Sequence, residues 1–172
     1  MDSKAKWQEP EKENPKTFEA IKAMLKKNKI KFKVAEHEPV RTSEEAAKVR
    51  KVTVDSGAKA MLFKDAGKKL AIEGVPYYLA VLSASKRCSN KALKKIINSK
   101  NIKPASEEEV YQVTGCVTGA VPPFGSIYDS KVPVFVDRSL SKEESINFNA
   151  GLRTHSITMQ YKDYFKAEQP TF

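Results

Sequence analysis

Apolar residues near the start of this 172-residue chain recur at helical spacing, with Phe18, Ile21, Met24 and Leu25 on one face. Ile30, Phe32 and Val34 then alternate with Lys31 and Lys33, which is the two-residue period of a strand. In HEPVRTSEEAAKVR (37–50), Thr42 and Glu45 have capping-box spacing and predict an alanine-rich helix of about two turns. From Ala58 the pattern changes to short apolar runs: AKAMLFK, then LAIEG after a DAGKK turn, then YYLAVLS, together an antiparallel meander. Ser89 caps a helix carrying Ala92, Leu93, Ile96 and Ile97, and a capping box from Ser106 to Glu109 opens another that ends near Gly115. VPVFVD (132–137), SINFNAG (145–151) and HSITMQ (155–160) complete the strands. Hairpins in place of regular βαβ units predict an α+β fold, a mixed, mostly antiparallel twisted sheet of about six strands with about four surrounding helices.

Composition adds limits. With 40% hydrophobic residues the chain suits one compact domain over 17–172, preceded by a polar tail (1–16) with Pro10, Pro15 and no periodicity, expected to be disordered or loosely attached. Lys and Arg total 31 against 21 Asp and Glu, a net charge of +10 that favours a polyanionic partner such as nucleic acid. The excess is local: between Gly74 and Ser106 there is no acid, whereas Lys86, Arg87, Lys91, Lys94 and Lys95 cluster around one helix. Such a cluster suits a phosphate backbone; the alternative is an ordinary solvated helix face. No apolar run approaches the roughly 18 residues of a membrane span, and the start is too polar and acidic for a signal peptide, so a cytoplasmic protein is expected. Cys88 and Cys116 make neither a disulfide framework nor a zinc pattern.

Two features carry candidate chemistry. GCVTGAVPPFG (115–125) combines three glycines with two prolines, so its backbone N–H groups can approach a ligand closely while Pro122 and Pro123 hold the loop's shape. Its alternative reading is a tight connection between elements. Lys59 shares a strand face with Met61 and Phe63, which places its stem against apolar neighbours and its ammonium at a cavity rim or, alternatively, snorkelling to solvent. Serine-hydrolase elbows, phosphate loops, dinucleotide fingerprints and HExxH are all absent, and with only His37 and His155 no spacing suggests a metal or cofactor site.

The order HEPV, EEAA, AKAMLFKD, TGCVTGAVPPFG, VFVDRSL and INFNAGLRTHSI resembles the YbaK/prolyl-tRNA synthetase-associated domain family over roughly Lys16 to Tyr164. The resemblance implies an aminoacyl-tRNA deacylase acting in trans on mischarged tRNA, with proline tRNA carrying alanine or cysteine first among the substrates, using neither metal nor covalent nucleophile. It implies Lys59 as the active-site lysine. It also implies Gly119, Ala120, Val121, Pro122, Pro123, Phe124 and Gly125 as the substrate loop, and Asp137, Asn149, Gly151, His155 and Ser156 as residues of pocket-lining segments. The partners expected are the aminoacylated acceptor end of tRNA, held by the basic cluster, and an aminoacyl-tRNA synthetase. The competing class is a non-catalytic module that binds tRNA or a synthetase within a complex.

Overall fold

The computed structural model describes residues 6–40, 42–72 and 74–172, and its strands form two sheets. Helix α1 (Lys16–Lys27) buries Phe18, Ile21 and Leu25, the face its periodicity predicts. Strand β1 (Phe32–Glu36) follows, then α2 (Ser43–Arg50), whose capping box is formed between Thr42 and Glu45. After a short 3-10 turn come β2 (Ala58–Asp65) and β3 (Tyr77–Ser83), paired antiparallel, then α3 (Asn90–Ile97) and β4 (Ile102–Pro104). Helix α4 (Glu107–Thr114), again with its capping box formed, leads into the Gly/Pro loop. The chain then makes β5 (Val134–Val136), β6 (Ser145–Leu152), β7 (His155–Gln160) and α5 (Tyr161–Glu168).

One sheet is antiparallel in the order β1-β7-β6; the other has the order β4-β2-β3-β5, antiparallel except where β5 runs parallel to β3. The α+β class with mostly antiparallel strands therefore holds, with the strands divided between two sheets and a fifth helix after the last strand. Among the described residues one bridge, between Gly57 and Asn147, joins the sheets, and the larger core fills the space between them with Leu62, Leu79, Val81, Phe124, Phe148 and Ile157. On its opposite face the second sheet packs Phe63, Tyr78 and Ala80 against Leu93 and Ile97 of α3. Covering both faces makes β3 an almost unbroken apolar run, since no side is left for polar residues.

The middle strand predicted at LAIEG (70–74) does not form. The Asp65 carboxylate accepts from the N–H groups of Gly67 (3.0 Å) and Ala71 (3.1 Å), and these local bonds curl the connection between β2 and β3 into turns. Glu73 of that stretch lies outside the described residues. Before α1, residues 6–15 have no helix or strand, yet Trp7 rests against the Tyr111 ring and Glu9 and Glu13 both reach Arg153. None of the helices among the described residues is long and apolar enough to cross a membrane.

Candidate active site

The site begins with the short helix α2. Its inward positions are Ala46 and Ala47, both buried, and the helix packs beside the 3-10 turn at Val54–Ser56. Arg50 is three and four residues further on, so it shares that inward face and is drawn below the surface. There Nε donates to Ser156 Oγ (2.7 Å), Nη1 to Asn147 Oδ1 (2.9 Å) and Nη2 to Asn149 Oδ1 (2.6 Å). Burial brings the Arg50 guanidinium down to about 10, still charged at neutral pH.

Strand alternation explains the acceptors. Asn147 and Asn149 are two residues apart and face the same way, while Ile146, Phe148 and Ala150 enter the core; Ser156 is paired with Asn149 across the β6–β7 ladder. The bonds extend beyond Arg50. Asn147 Nδ2 donates to Ser56 Oγ (2.9 Å), and Asn149 Nδ2 donates to the Gly119 carbonyl (2.7 Å) at the edge of the Gly/Pro loop. His37 Nδ1 lies 2.8 Å from the Glu38 carbonyl, which only accepts, so Nδ1 carries the proton and Nε2 accepts from Ser156 Oγ at 2.6 Å. One guanidinium thus orders two asparagines, a serine, a histidine and, through Asn149, the loop.

The loop itself is held at both ends. At its start, Ala120 donates to Val117 O (3.0 Å), its own carbonyl accepts from Gly151 N–H (2.9 Å), and Gly119 turns with a φ of +93°, a conformation that favours glycine. At its end, Phe124 is fully buried between the edges of Phe148 and Tyr164, whose hydroxyl donates to Pro123 O (2.7 Å). The Glu168 carboxylate accepts from the N–H groups of Gly125 (2.8 Å) and Ser126 (3.1 Å) and from Ser126 Oγ (2.7 Å); burial still raises its pKa. Pro122 and Pro123 have no N–H, that of Ala120 is spent on Val117 and that of Gly125 on Glu168, so the donors left to meet a ligand narrow to Gly119, Val121 and Phe124.

Gly119 and Val121 border a cavity of about 160 Å³ whose other walls are Arg50 and Ala47 of α2, Asn147 and Asn149 of β6, and Ala58 to Ala60 of β2. That last stretch is open to the cavity because β4 pairs with β2 only from Phe63 to Asp65. Lys59 is half-buried here, and among the described residues no hydrogen bond or ion pair holds its ammonium. Two cations, two amide side chains and loop backbone therefore border a space with room for roughly five waters, lined elsewhere by small residues, among them Ala46, Ala84, Val40 and Val54, with Thr42 and Ser43 beside them.

Lys59, Gly119, Val121 and Asn149 are thus brought together on the cavity, and Ser156 stands one hydrogen bond behind it. Ala120, Pro122, Pro123, Phe124 and Gly125 are buried in the loop's own packing. Gly151 sits at a bulge of β6 against α1, where an added Cβ would lie 3.0 Å from Phe18 N, and His155 lies under the Phe18 ring and beside Glu36; neither lines the cavity. Asp137 ends β5, where its carboxylate accepts from Ser139 N–H (2.8 Å) and ionises below its usual range. Lys86 and Arg87 are exposed in the turn before α3; on the helix Lys91 and Lys95 are exposed and Lys94 half-buried. Arg50 and Asn147 were not anticipated from sequence. The signal for Arg50 was present, since the two residues one turn before it on its face are alanines.

Residues 37–167 match the model of the aminoacyl-tRNA editing domain family. The multifunctional Ser/Thr-tRNA deacylase ProXp-y of Escherichia coli is 31% identical over 155 residues, covering 90% of this chain and 89% of that protein. The prolyl-tRNA editing protein ProX of Acetoanaerobium sticklandii is 29% identical over 150 residues, covering 86% and 88%. Among solved structures, a putative trans-editing enzyme for prolyl tRNA synthetase superposes with a TM-score of 0.76 at 22% identity, covering 90% of this chain and 93% of that one, and so shares the fold.

Proposed function

The chain belongs to the aminoacyl-tRNA editing domain family, and from that membership we propose that it clears mischarged tRNA in trans, taking the ester of a small amino acid into the cavity beside Lys59. It is an aminoacyl-tRNA hydrolase. The observation that carries the finer reading is the convergence of a lysine unpaired among the described residues, loop backbone donors and a cavity of about 160 Å³ at one place. In the reaction, water adds to the ester carbonyl and the bond to the ribose oxygen breaks. The attacking water gives one proton to that leaving oxygen, and free amino acid and tRNA result. Gly119 and Val121 N–H groups stabilise the charge that develops on the carbonyl oxygen, and Lys59 holds the acceptor end through its phosphate or ester region. An aminoacyl ester is already activated, so water placed by these groups and by a ribose hydroxyl of the substrate suffices without a protein base. Arg50, itself on the cavity wall, fixes Asn149 and with it the Gly119 carbonyl.

The small volume of the cavity disfavours large side chains, whereas one methylene is worth only about 1–3 kcal/mol of discrimination. Alanine and cysteine on proline tRNA fit that shape. A second reading extends the substrates to serine and threonine, because Thr42, Ser43 and Asn147 also line the cavity and offer partners for a hydroxyl. The basic residues Lys86, Arg87, Lys91, Lys94 and Lys95 hold the phosphate backbone. The test is a deacylation panel with tRNAs charged with alanine, cysteine, serine, threonine and proline. At least one mischarged tRNA is expected to decay faster than prolyl-tRNA, with no effect of chelator; uncatalysed rates throughout at micromolar enzyme would end this reading.

A further inference from the structure

Outside the cavity a second recess, about 440 Å³, runs between α3 and the end of the second sheet. Its floor is apolar, from Ala80, Leu93 and Phe135, and its rim carries Arg87, Arg138 and the half-buried thiol of Cys88. Two of the large apolar side chains exposed on the described surface stand on its edges: Ile96, 53% exposed, and Phe172, 47% exposed. Exposed apolar groups flanked by cations are costly to leave in water and poorly suited to an ordinary solvated face.

The recess adjoins the cavity, because Lys59 and Ala60 of the cavity wall pair with Leu82 and Val81 of the recess across the β2–β3 ladder. Among the described residues lining the recess, Arg87 and Arg138 stand against one acid, Asp137, and exposed Lys86 precedes Arg87 in the turn before α3, so the track carries net positive charge. Phe172 is one member of a platform, stacked on Phe165 at 5.3 Å and 25°, with the Arg138 guanidinium 5.8 Å from its ring centre.

We propose that this recess is the track for the unpaired 3′ nucleotides of the aminoacylated tRNA, whose bases stack on the Phe172–Arg138 platform and against Ile96 while Lys86 and Arg87 meet the phosphates. Unpaired nucleotides need aromatic or guanidinium planes for their bases and cations for their backbone, which is what the two rims supply. A duplex would not reach the apolar floor, because its bases face each other. The inference rests on the proposed reaction only in taking the ester to lie beside Lys59, since the strand must then leave along one of the walls that Lys59 touches.

The experiment compares the full chain with the double variant Arg138→Ala, Phe172→Ala, both side chains being on the surface. Three quantities are measured: KM and kcat on the mischarged tRNA that the panel selects, the rate on the same amino acid esterified to adenosine alone, and binding of a fluorescent RNA tetranucleotide with the tRNA 3′ sequence. The expected result is a KM for tRNA raised tenfold or more with kcat changed less than twofold, adenosine-ester hydrolysis kept, and tetranucleotide affinity lowered tenfold or more. Unchanged KM and unchanged tetranucleotide affinity would overturn the track. So would an equal loss on the adenosine ester, which would place the damage in the cavity. If the parent chain hydrolyses neither ester, the proposed reaction fails, and the tetranucleotide measurement still decides the track by itself.

Discussion

Two cations on one small cavity act differently because their surroundings differ. Among the described residues Lys59 has no hydrogen-bond or ion-pair partner, so its charge is available to an incoming substrate, whereas Arg50 spends its donors on Ser156, Asn147 and Asn149. Lys59→Ala is expected to slow deacylation at least about 100-fold, the scale of roughly 2.7–4 kcal/mol for removing a preorganised group that meets developing charge, with the thermal midpoint little changed. Full activity in a folded Lys59→Ala protein would remove the lysine from the reaction. Arg50→Lys keeps a charge but offers a single ammonium where a planar fork served three oxygens. Its expected outcome is a loss of about 1–3 kcal/mol in stability from acceptors left unpaired, together with a fall in kcat, read from urea midpoints and single-turnover rates. The place of Lys59 on the cavity was legible from its strand position and from the family motif. Arg50 was not, since its importance comes from Asn147, Asn149 and Ser156, which are about a hundred residues later in the chain.

At the scale of elements, local signals read well and long-range ones did not. Both capping boxes formed as spaced, because a cap is a contact between residues three apart. LAIEG was mistaken for a strand because its apolar letters outweighed the Asp65 carboxylate that folds the connection on itself. Helix α5 went unread although Tyr161, Tyr164 and Phe165 have helical spacing, since they directly continue a strand. That helix has a task, as its Glu168 pins the far end of the Gly/Pro loop. Glu168→Ala should therefore lower the thermal midpoint and reduce kcat/KM, with the loop amides of Gly125 and Ser126 losing protection from hydrogen exchange. Unchanged protection would show that the loop keeps its shape without the carboxylate. The loop's closing glycine has its own reason: a Cβ at Gly125 would fall 1.9 Å from Val132 O, a clash no side-chain adjustment relieves.

Over the whole molecule, the division into two sheets was illegible in the sequence, because hydrophobic alternation states which face is buried and not which strands share a ladder. One polar staple spans the second sheet and α4: Lys64 Nζ lies 2.7 Å from the Glu109 carboxylate, which also accepts from Tyr77 OH at 3.0 Å. The hydrogen bond from Lys64, with help from Ser106 and Tyr77, lowers Glu109 from 4.5 to about 2. A carboxyl group depressed in the folded state contributes stability above its unfolded value and loses it on acidification. The chain is expected to lose stability as pH falls from about 4.5 towards 2, and Glu109→Gln should flatten that limb while leaving activity near neutrality intact. An identical acid limb in the variant, followed by urea midpoints against pH, would assign the loss to other carboxylates.

The clamp on the Gly/Pro loop also sets a schedule. Glu168 lies 43 positions after Gly125, and β1 has no ladder until β7 exists to pair with it. Synthesis delivers the chain from its N-terminus at about 5–20 residues per second. For the seconds in between, a nascent chain therefore carries Lys59 and the whole glycine-proline sequence without an assembled pocket. The carboxylate that fixes the loop's far end is therefore made after Lys59, the loop and the asparagines of β6, so the parts of the candidate site are all in the chain well before the clamp that holds them.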